Sequence, residues 1–154
     1  AGDVEARADM ASAALASGLC LANAGLGVVH GFASRIGGLF DVPHGVICGT
    51  LLAAAVRANV ARLERDGAAG EEALRKYARA GELLSGRPGG GAREARARLV
   101  DTLESWTEEL DLPLLGEYGM KAADIEAVLE GTSLKENPAA LQGDELAGIL
   151  AGRI

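Results

Sequence analysis

Residues 25–45 read GLGVVHGFASRIGGLFDVPHG and contain both histidines of the chain, His30 and His44. The two imidazoles stand fourteen positions apart among glycines and apolar residues. A neutral imidazole is a common ligand for zinc, iron and related metals, because it offers a nitrogen lone pair near neutral pH. Compact metal motifs place their ligands about two to five residues apart, so this pair needs a turn to bring it together.

The sequence between the histidines predicts such a turn. The Gly37-Gly38 pair is expected to end a helix that carries His30. Pro43 suits the first turn of the next helix, which would present His44 at its start. The two histidines could then face one pocket across a helix-loop-helix. On spacing alone, a core histidine bonded to a backbone carbonyl is the more common case, so the residues leave both interpretations open.

The same stretch combines two histidines and a proline with several closely spaced glycines. The residues concerned are Val29-His30-Gly31, Gly37-Gly38 and Pro43-His44-Gly45, followed downstream by Cys48, Leu51-Leu52, Asn59, Lys76-Tyr77-Ala78, Asn137-Pro138 and Leu141. In this pattern the chain resembles the iron-containing alcohol dehydrogenases. The resemblance implies that His30 and His44 ligate the catalytic metal, which is iron in most of the family and zinc in some relatives.

The resemblance covers nearly the whole chain but only the C-terminal portion of the family. It implies an all-α bundle of about six or seven helices, the C-terminal part of a dehydroquinate synthase-like or iron alcohol dehydrogenase fold. The family's α/β nucleotide-binding domain is absent from these residues, as is the Asp-to-His pair that completes the metal site from an earlier helix. We therefore expect residues 1–154 to form a C-terminal all-helical metal-binding domain that is inactive alone.

The activity implied for the intact protein is hydride transfer between an alcohol and an aldehyde or ketone. NAD or NADP would bind through the missing domain, and the divalent metal would act as a Lewis acid. Ser34 stands where many family members carry a further histidine near the nicotinamide, so the resemblance marks Ser34 as a cofactor-binding position. A related branch, the maleylacetate reductases, is similar over residues 38–44, but Gly45 and the missing extra histidines fit it less well.

Composition predicts the same fold class without the resemblance. Hydrophobic residues make up 49% of the chain but aromatic residues only 3%, which favours close-packed helices over a sheet. The net charge of -7 argues against a nucleic-acid or anionic-membrane partner. Residues 10–34 carry no charge, yet Asn23, His30 and several glycines interrupt this run and no anchors flank it. We expect it to lie at the centre of a helical bundle.

The two cysteines and one aspartate leave further alternatives open. Cys20 and Cys48 stand in apolar surroundings, which predicts buried, reduced thiols in a cytoplasmic protein. Cys48 follows His44 by four residues on one helix face, which permits a His/Cys metal pair, although helix packing is the more ordinary role. Asp41 could add a carboxylate ligand or cap the helix that begins at Pro43.

The remaining pattern predicts helices and turns along the whole chain. Helices are expected over residues 3–24, with Asp3 as a cap, and then over 26–36, 43–66, 71–84, 92–110, 124–130 and 144–151. The residues show no convincing strand pattern.

A protein of another class remains as the alternative function. The chain could be a non-catalytic helical interaction module whose histidines serve packing, and metal binding discriminates between the two hypotheses. For the dehydrogenase, the expected partner is a small-molecule alcohol or carbonyl compound, with no nucleic acid and no membrane. Apolar surface left exposed by the missing domain could also drive homo-oligomerisation.

Overall fold

The computed structural model describes residues 2–154, and within them it contains α-helices, three short 3₁₀ helices and no strand. The predicted all-α fold is confirmed. The seven helices are α1 (Val4–Ala24), α2 (Val28–Leu39), α3 (His44–Arg65), α4 (Glu71–Ser85), α5 (Ala92–Glu109), α6 (Ile125–Glu130) and α7 (Gly143–Ala151).

The central helix is α3, which contacts α2, α4, α5 and α7. Its side chains Ile47 and Leu51 are fully buried and share one core with Phe32 and Ile36 of α2. Burial of each such side chain contributes about 1.5–3 kcal/mol. The pairing of α2 with α3, the two helices that carry the histidines, is therefore held by the main core of the molecule.

The helices α4 and α5 pack closely against each other as a hairpin, and both contact α3. A Cβ atom at Gly81 would lie only 1.9 Å from the carbonyl oxygen of Ala95, so the two backbones meet with no side chain between them. Leu99 and Leu103 of α5 are buried against Ala53 of α3. The hairpin thus supports α3 on one side, while α2 packs on it from another.

The end of α2 differs from the prediction. The helix continues through Gly37 and Gly38 to Leu39, so the expectation that this glycine pair ends the helix is wrong. Both glycines keep negative φ angles, and nothing lies within 4 Å of a Cβ built on either, so a helix passes through them without obstruction. The chain leaves the helix at Phe40, whose backbone is extended with φ -132° and ψ 148°.

The first helix, α1, is capped as predicted but is not a core helix. The Asp3 side chain accepts a hydrogen bond from the backbone N–H of Ala6, and α1 ends at Gly25, whose φ is 70°. None of its residues is buried, and Cys20 is exposed, so the predictions of a central position and a buried Cys20 are wrong for the described chain. The apolar residues are spread around α1 and form no single face to bury.

Within residues 2–154, one helix, α3, is long and apolar enough to cross a membrane, and α1 with α2 passes the same test only as a single span bent by 95°. The apolar composition of α3 has another physical reason in this fold. Its buried side chains fill the centre of the bundle, where four other helices surround it.

Candidate metal centre

The two histidines meet where the start of α2 lies beside the start of α3. His30 lies in the first turn of α2, and His44 is the first residue of α3. Residues 40–43 reverse the chain, and the backbone N–H of Val46 donates to the Pro43 carbonyl at 2.9 Å as the new helix starts. The imidazole centroids of His30 and His44 are 5.4 Å apart, with the ring planes inclined at 51°. The structure thus brings both histidines to one place.

A third donor lies in the same place. Cys48 follows His44 by one helical turn, and its Sγ atom is 3.4 Å from Nε2 of His44. One ligand atom from each of His30, His44 and Cys48 can be chosen so that all three lie within 4.8 Å of one another. The sequence favoured a packing role for Cys48, whereas the structure places its sulfur beside both imidazoles.

The donor set fits a divalent metal ion. Tetrahedral ligands bind zinc at about 2.0–2.3 Å and so lie roughly 3.5 Å from one another, which these side chains reach after a small approach. His44 is exposed, whereas His30 and Cys48 are half-buried, so solvent reaches the group of donors. Partial burial raises the pKa of the Cys48 thiol, so without a metal the sulfur keeps its proton at neutral pH.

The other two candidate residues of this region lie outside the cluster. Ser34 is exposed, and its hydroxyl donates to the carbonyl oxygen of His30 at 2.9 Å, one turn earlier in α2. Asp41 is exposed and is absent from the group of possible ligands. It also does not cap α3, whose N-cap residue is Pro43 with no side-chain hydrogen bond. The predicted cap is therefore wrong, because Pro43 itself occupies the cap position.

An apolar cavity of about 510 Å³ adjoins the cluster. His30 and Cys48 line it, so two of the three donors face a space large enough for a small organic molecule. Most of the wall is aliphatic or glycine, for example Leu52 and Val56 of α3. The few polar groups of the wall come from residues far apart in the sequence, namely Asn59, Tyr77 and Asn137.

These three polar residues form a hydrogen-bonded network. Asn59 Nδ2 donates to the Tyr77 hydroxyl at 3.1 Å and to Asn137 Oδ1 at 3.2 Å, and Asn137 Nδ2 donates back to Asn59 Oδ1 at 2.7 Å. Asn137 also accepts from the backbone N–H of Val28 and donates to the Ala139 carbonyl. Burial raises the pKa of the Tyr77 hydroxyl, which keeps it a neutral member of the network.

The network positions α2, the helix that carries His30. Val28 is the first residue of α2 and precedes His30 by two residues, so the Asn137 side chain holds the start of that helix. The backbone N–H of Glu136 donates to the Leu26 carbonyl at 2.8 Å and fixes the same end from outside the helix. The segment before α7 thus sets where the His30 imidazole stands.

Replacing Asn137 by alanine is expected to lower the free energy of unfolding by about 2–4 kcal/mol, because it leaves the Val28 N–H and the Asn59 Oδ1 atom without partners. Tyr77→Phe is the matched control. It removes one hydroxyl that Asn59 contacts and should cost about 1 kcal/mol. Urea unfolding of both variants measures the difference, and equal losses would mean that Asn137 is not the centre of the network.

Sequence reasoning singled out Asn59, Tyr77 and Asn137 as parts of a resemblance but did not bring them together. They are separated by 18 and 60 positions in the chain. The available signal was an uncharged polar side chain inside an apolar helix, Asn59 in α3, which demands buried partners. A single sequence does not say which distant residues supply those partners.

A sequence profile described as "Fe-containing alcohol dehydrogenase family, C-terminal" matches residues 1–153. Among curated proteins, 1,3-propanediol dehydrogenase of Klebsiella pneumoniae is 31% identical over 154 residues, covering 96% of this chain and 37% of that protein. The NAD-dependent methanol dehydrogenase of Bacillus methanolicus is 28% identical, covering 96% of this chain and 38% of its own length. The chain therefore spans somewhat over a third of the curated relatives it matches.

The fold also matches a solved structure. A crystal structure of 1,3-propanediol oxidoreductase superposes with a TM-score of 0.82 at 28% sequence identity. The match covers 99% of this chain and 39% of that one. The similarity therefore includes the histidine helices, the α4–α5 hairpin and the segment that bears Asn137.

Proposed function

This chain belongs to the Fe-containing alcohol dehydrogenase family, and on that premise we propose that it is the C-terminal, metal-binding portion of a metal-dependent, NAD(P)-linked alcohol dehydrogenase. The reaction is hydride transfer between an alcohol and an aldehyde or ketone. The nucleotide-binding domain lies in a part of the protein outside these 154 residues, which leaves the isolated chain inactive. NAD is the cofactor named for the methanol dehydrogenase relative, and NADP is the alternative.

The observation that carries this proposal is the convergence of His30 and His44 at the edge of an apolar cavity. Imidazole donors suit zinc and iron, and iron is the metal after which the family is named. When bound, a divalent cation supplies Lewis-acid chemistry to an alcohol or carbonyl group. The cavity beside it has a largely apolar wall and suits small, largely apolar molecules.

The chain's own residues have separate tasks in this proposal. His30 and His44 hold the metal, and the network of Asn59, Tyr77 and Asn137 keeps α2 in place so that His30 stays in position. Ser34 lies one turn after His30 on the exposed side of α2, where we propose that it contacts the nicotinamide cofactor. Ser34 cannot act as an imidazole would at that position, so any proton relay must involve other groups.

The partners follow from the chemistry of the site. We propose small alcohols and their aldehydes or ketones as substrates, in line with the names of the propanediol and methanol dehydrogenase relatives. The net charge of -7 argues against nucleic acid or anionic membranes as partners. A cytoplasmic location and homo-oligomerisation remain predictions, the latter based on exposed apolar side chains such as Met10 and Leu15 of α1.

The test uses the protein expressed from its complete coding frame, purified and loaded with Fe²⁺ or Zn²⁺. A panel of primary alcohols, including 1,3-propanediol and methanol, is offered with NAD or NADP, and formation of the reduced nicotinamide is followed by absorbance. We expect turnover that chelation abolishes and added metal restores, and no turnover from the 154-residue chain alone. Failure of the loaded full-length protein on every alcohol and aldehyde, or turnover by the isolated chain, would contradict the proposal.

A further inference from the structure

The first helix, α1, contributes no side chain to the core that residues 2–154 form. None of its residues is buried, and its large apolar side chains face solvent, with Met10 70% and Leu15 67% exposed. Residues 10–24 of this helix carry no charge. Because a helix that is apolar all round belongs in a protein core or a membrane, α1 requires a cover that these residues do not supply.

A membrane does not fit this helix. Its uncharged part, residues 10–24, is about 22 Å long at 1.5 Å per residue, whereas the hydrocarbon core of a bilayer is about 30 Å thick. Glu5, Arg7 and Asp9 stand in the turns before it, and Asn23 lies within it. The cover of α1 is therefore protein.

The apolar side chains of α1 occupy two opposite sides of the helix. With about 100° of rotation per residue, Leu21 falls on the same side as Met10. Leu15 and Leu19 fall roughly 140° and 180° away from Met10. Symmetric pairing with a second copy covers a single stripe of a helix, so it would leave one of these sides in water. Only a body that surrounds α1 covers both.

The solved relative contains a body of the size that this requires. Its structure matches 99% of this chain, α1 included, while the match takes up only 39% of that protein. More than half of the relative therefore lies outside the matched region, which is enough for at least one further domain.

We propose that α1 is the helix by which this domain docks onto the remainder of the intact protein, which encloses it from both sides. The inference rests on the proposed function, which places residues 1–154 in a longer protein. A break at residues 25–27 bends α2 away from α1 by 95°, so the docked body borders the end of α2 that carries His30. The homo-oligomerisation predicted from the exposed side chains of α1 is then a property of the isolated chain.

Hydrogen exchange followed by mass spectrometry tests the docking helix. It compares the 154-residue chain with the protein expressed from its complete coding frame. We expect the amides of residues 10–24 to exchange at least about 100-fold more slowly in the complete protein, because a docked helix opens only when its interface opens. Residues 47–55 of α3 are the internal control and should be protected equally in both proteins, since Ile47 and Leu51 are buried in either case.

Met10→Glu and Leu15→Glu place a charge on opposite sides of α1. Each should leave the urea midpoint of the 154-residue chain unchanged, because the side chain it replaces is exposed there. Each should abolish the added protection of α1 in the complete protein, because docking would bury an unpaired carboxylate. Leu110→Glu is the matched control, since Leu110 is 69% exposed at the end of α5 and should change neither measurement.

The outcomes separate this inference from the function beneath it. Equal exchange of α1 in the two proteins overturns the docking helix, even where the complete protein oxidises alcohols. Protection that is already present in the 154-residue chain and disappears on dilution assigns α1 to a second copy and also overturns it. Loss of protection in only one of the two α1 variants contradicts enclosure from both sides. Slow exchange of α1 in a complete protein without alcohol turnover supports the docking helix and contradicts the proposed function.

Discussion

His30→Ala and His44→Ala are each expected to weaken binding of Zn²⁺ to the chain by at least about 100-fold. Losing even an outer partner of a ligand costs 10–100-fold in affinity, and these changes delete a ligand outright. The rings are 5.4 Å apart, so neither histidine can replace the other. Isothermal titration calorimetry at neutral pH measures the loss, with circular dichroism to show that each variant keeps its helices.

Asp41→Asn is the control for this pair. Asp41 precedes His44 by three residues and was a candidate carboxylate ligand, yet the structure leaves it exposed and outside the donor group. Its neutralisation should leave zinc affinity within about twofold, since an exposed, screened charge that is not a ligand contributes little. Wild-type affinity in both histidine variants would favour the non-catalytic helical module instead.

Gly31→Ala is expected to destabilise the fold by about 3 kcal/mol, at the upper end of the usual cost of overpacking. A Cβ atom at this position would lie 2.0 Å from the carbonyl oxygen of Ser133, and a backbone atom cannot rotate away as a side chain does. The start of α2 would have to separate from the segment around Ser133. Urea unfolding measures the change, and we expect zinc affinity to fall as well, because His30 adjoins the displaced residue.

Gly38→Ala provides the matched control in the same helix. Nothing lies within 4 Å of a Cβ at Gly38, so the substitution only removes the flexibility of glycine from a helix and should raise stability by up to about 1 kcal/mol. Equal effects of the two substitutions would contradict the close approach at Gly31.

Local signals were enough to predict most of the fold. Asp3 caps the start of α1 with its side chain, and Gly25, with its positive φ angle, follows the end of that helix. Pro43 immediately precedes α3 as its cap residue. The Gly37-Gly38 pair misled the prediction, because glycine lowers helix propensity but does not forbid a helix that packing supports. Burial of Ile36, one residue earlier, holds α2 helical up to this pair.

Positions that depend on the rest of the fold could not be predicted. The run of small residues in α1 resembles a core helix in composition, yet its apolar side chains face all directions and none is buried within the described residues. For the site, the predicted turn allowed His30 and His44 to meet, and the resemblance favoured a shared site over two separate core histidines. Whether Cys48 packs or binds depends on the direction of one side chain relative to another helix, which the sequence does not specify.

The most direct test of the metal centre is NMR of the imidazole nitrogens during titration with Zn²⁺. The chain has only two histidines, so the spectrum contains two sets of imidazole signals that report on His30 and His44 alone. A shared site predicts that both sets change together and stop changing at one equivalent of zinc. Two unchanged sets, or a response from one histidine without the other, would contradict a metal centre built from both.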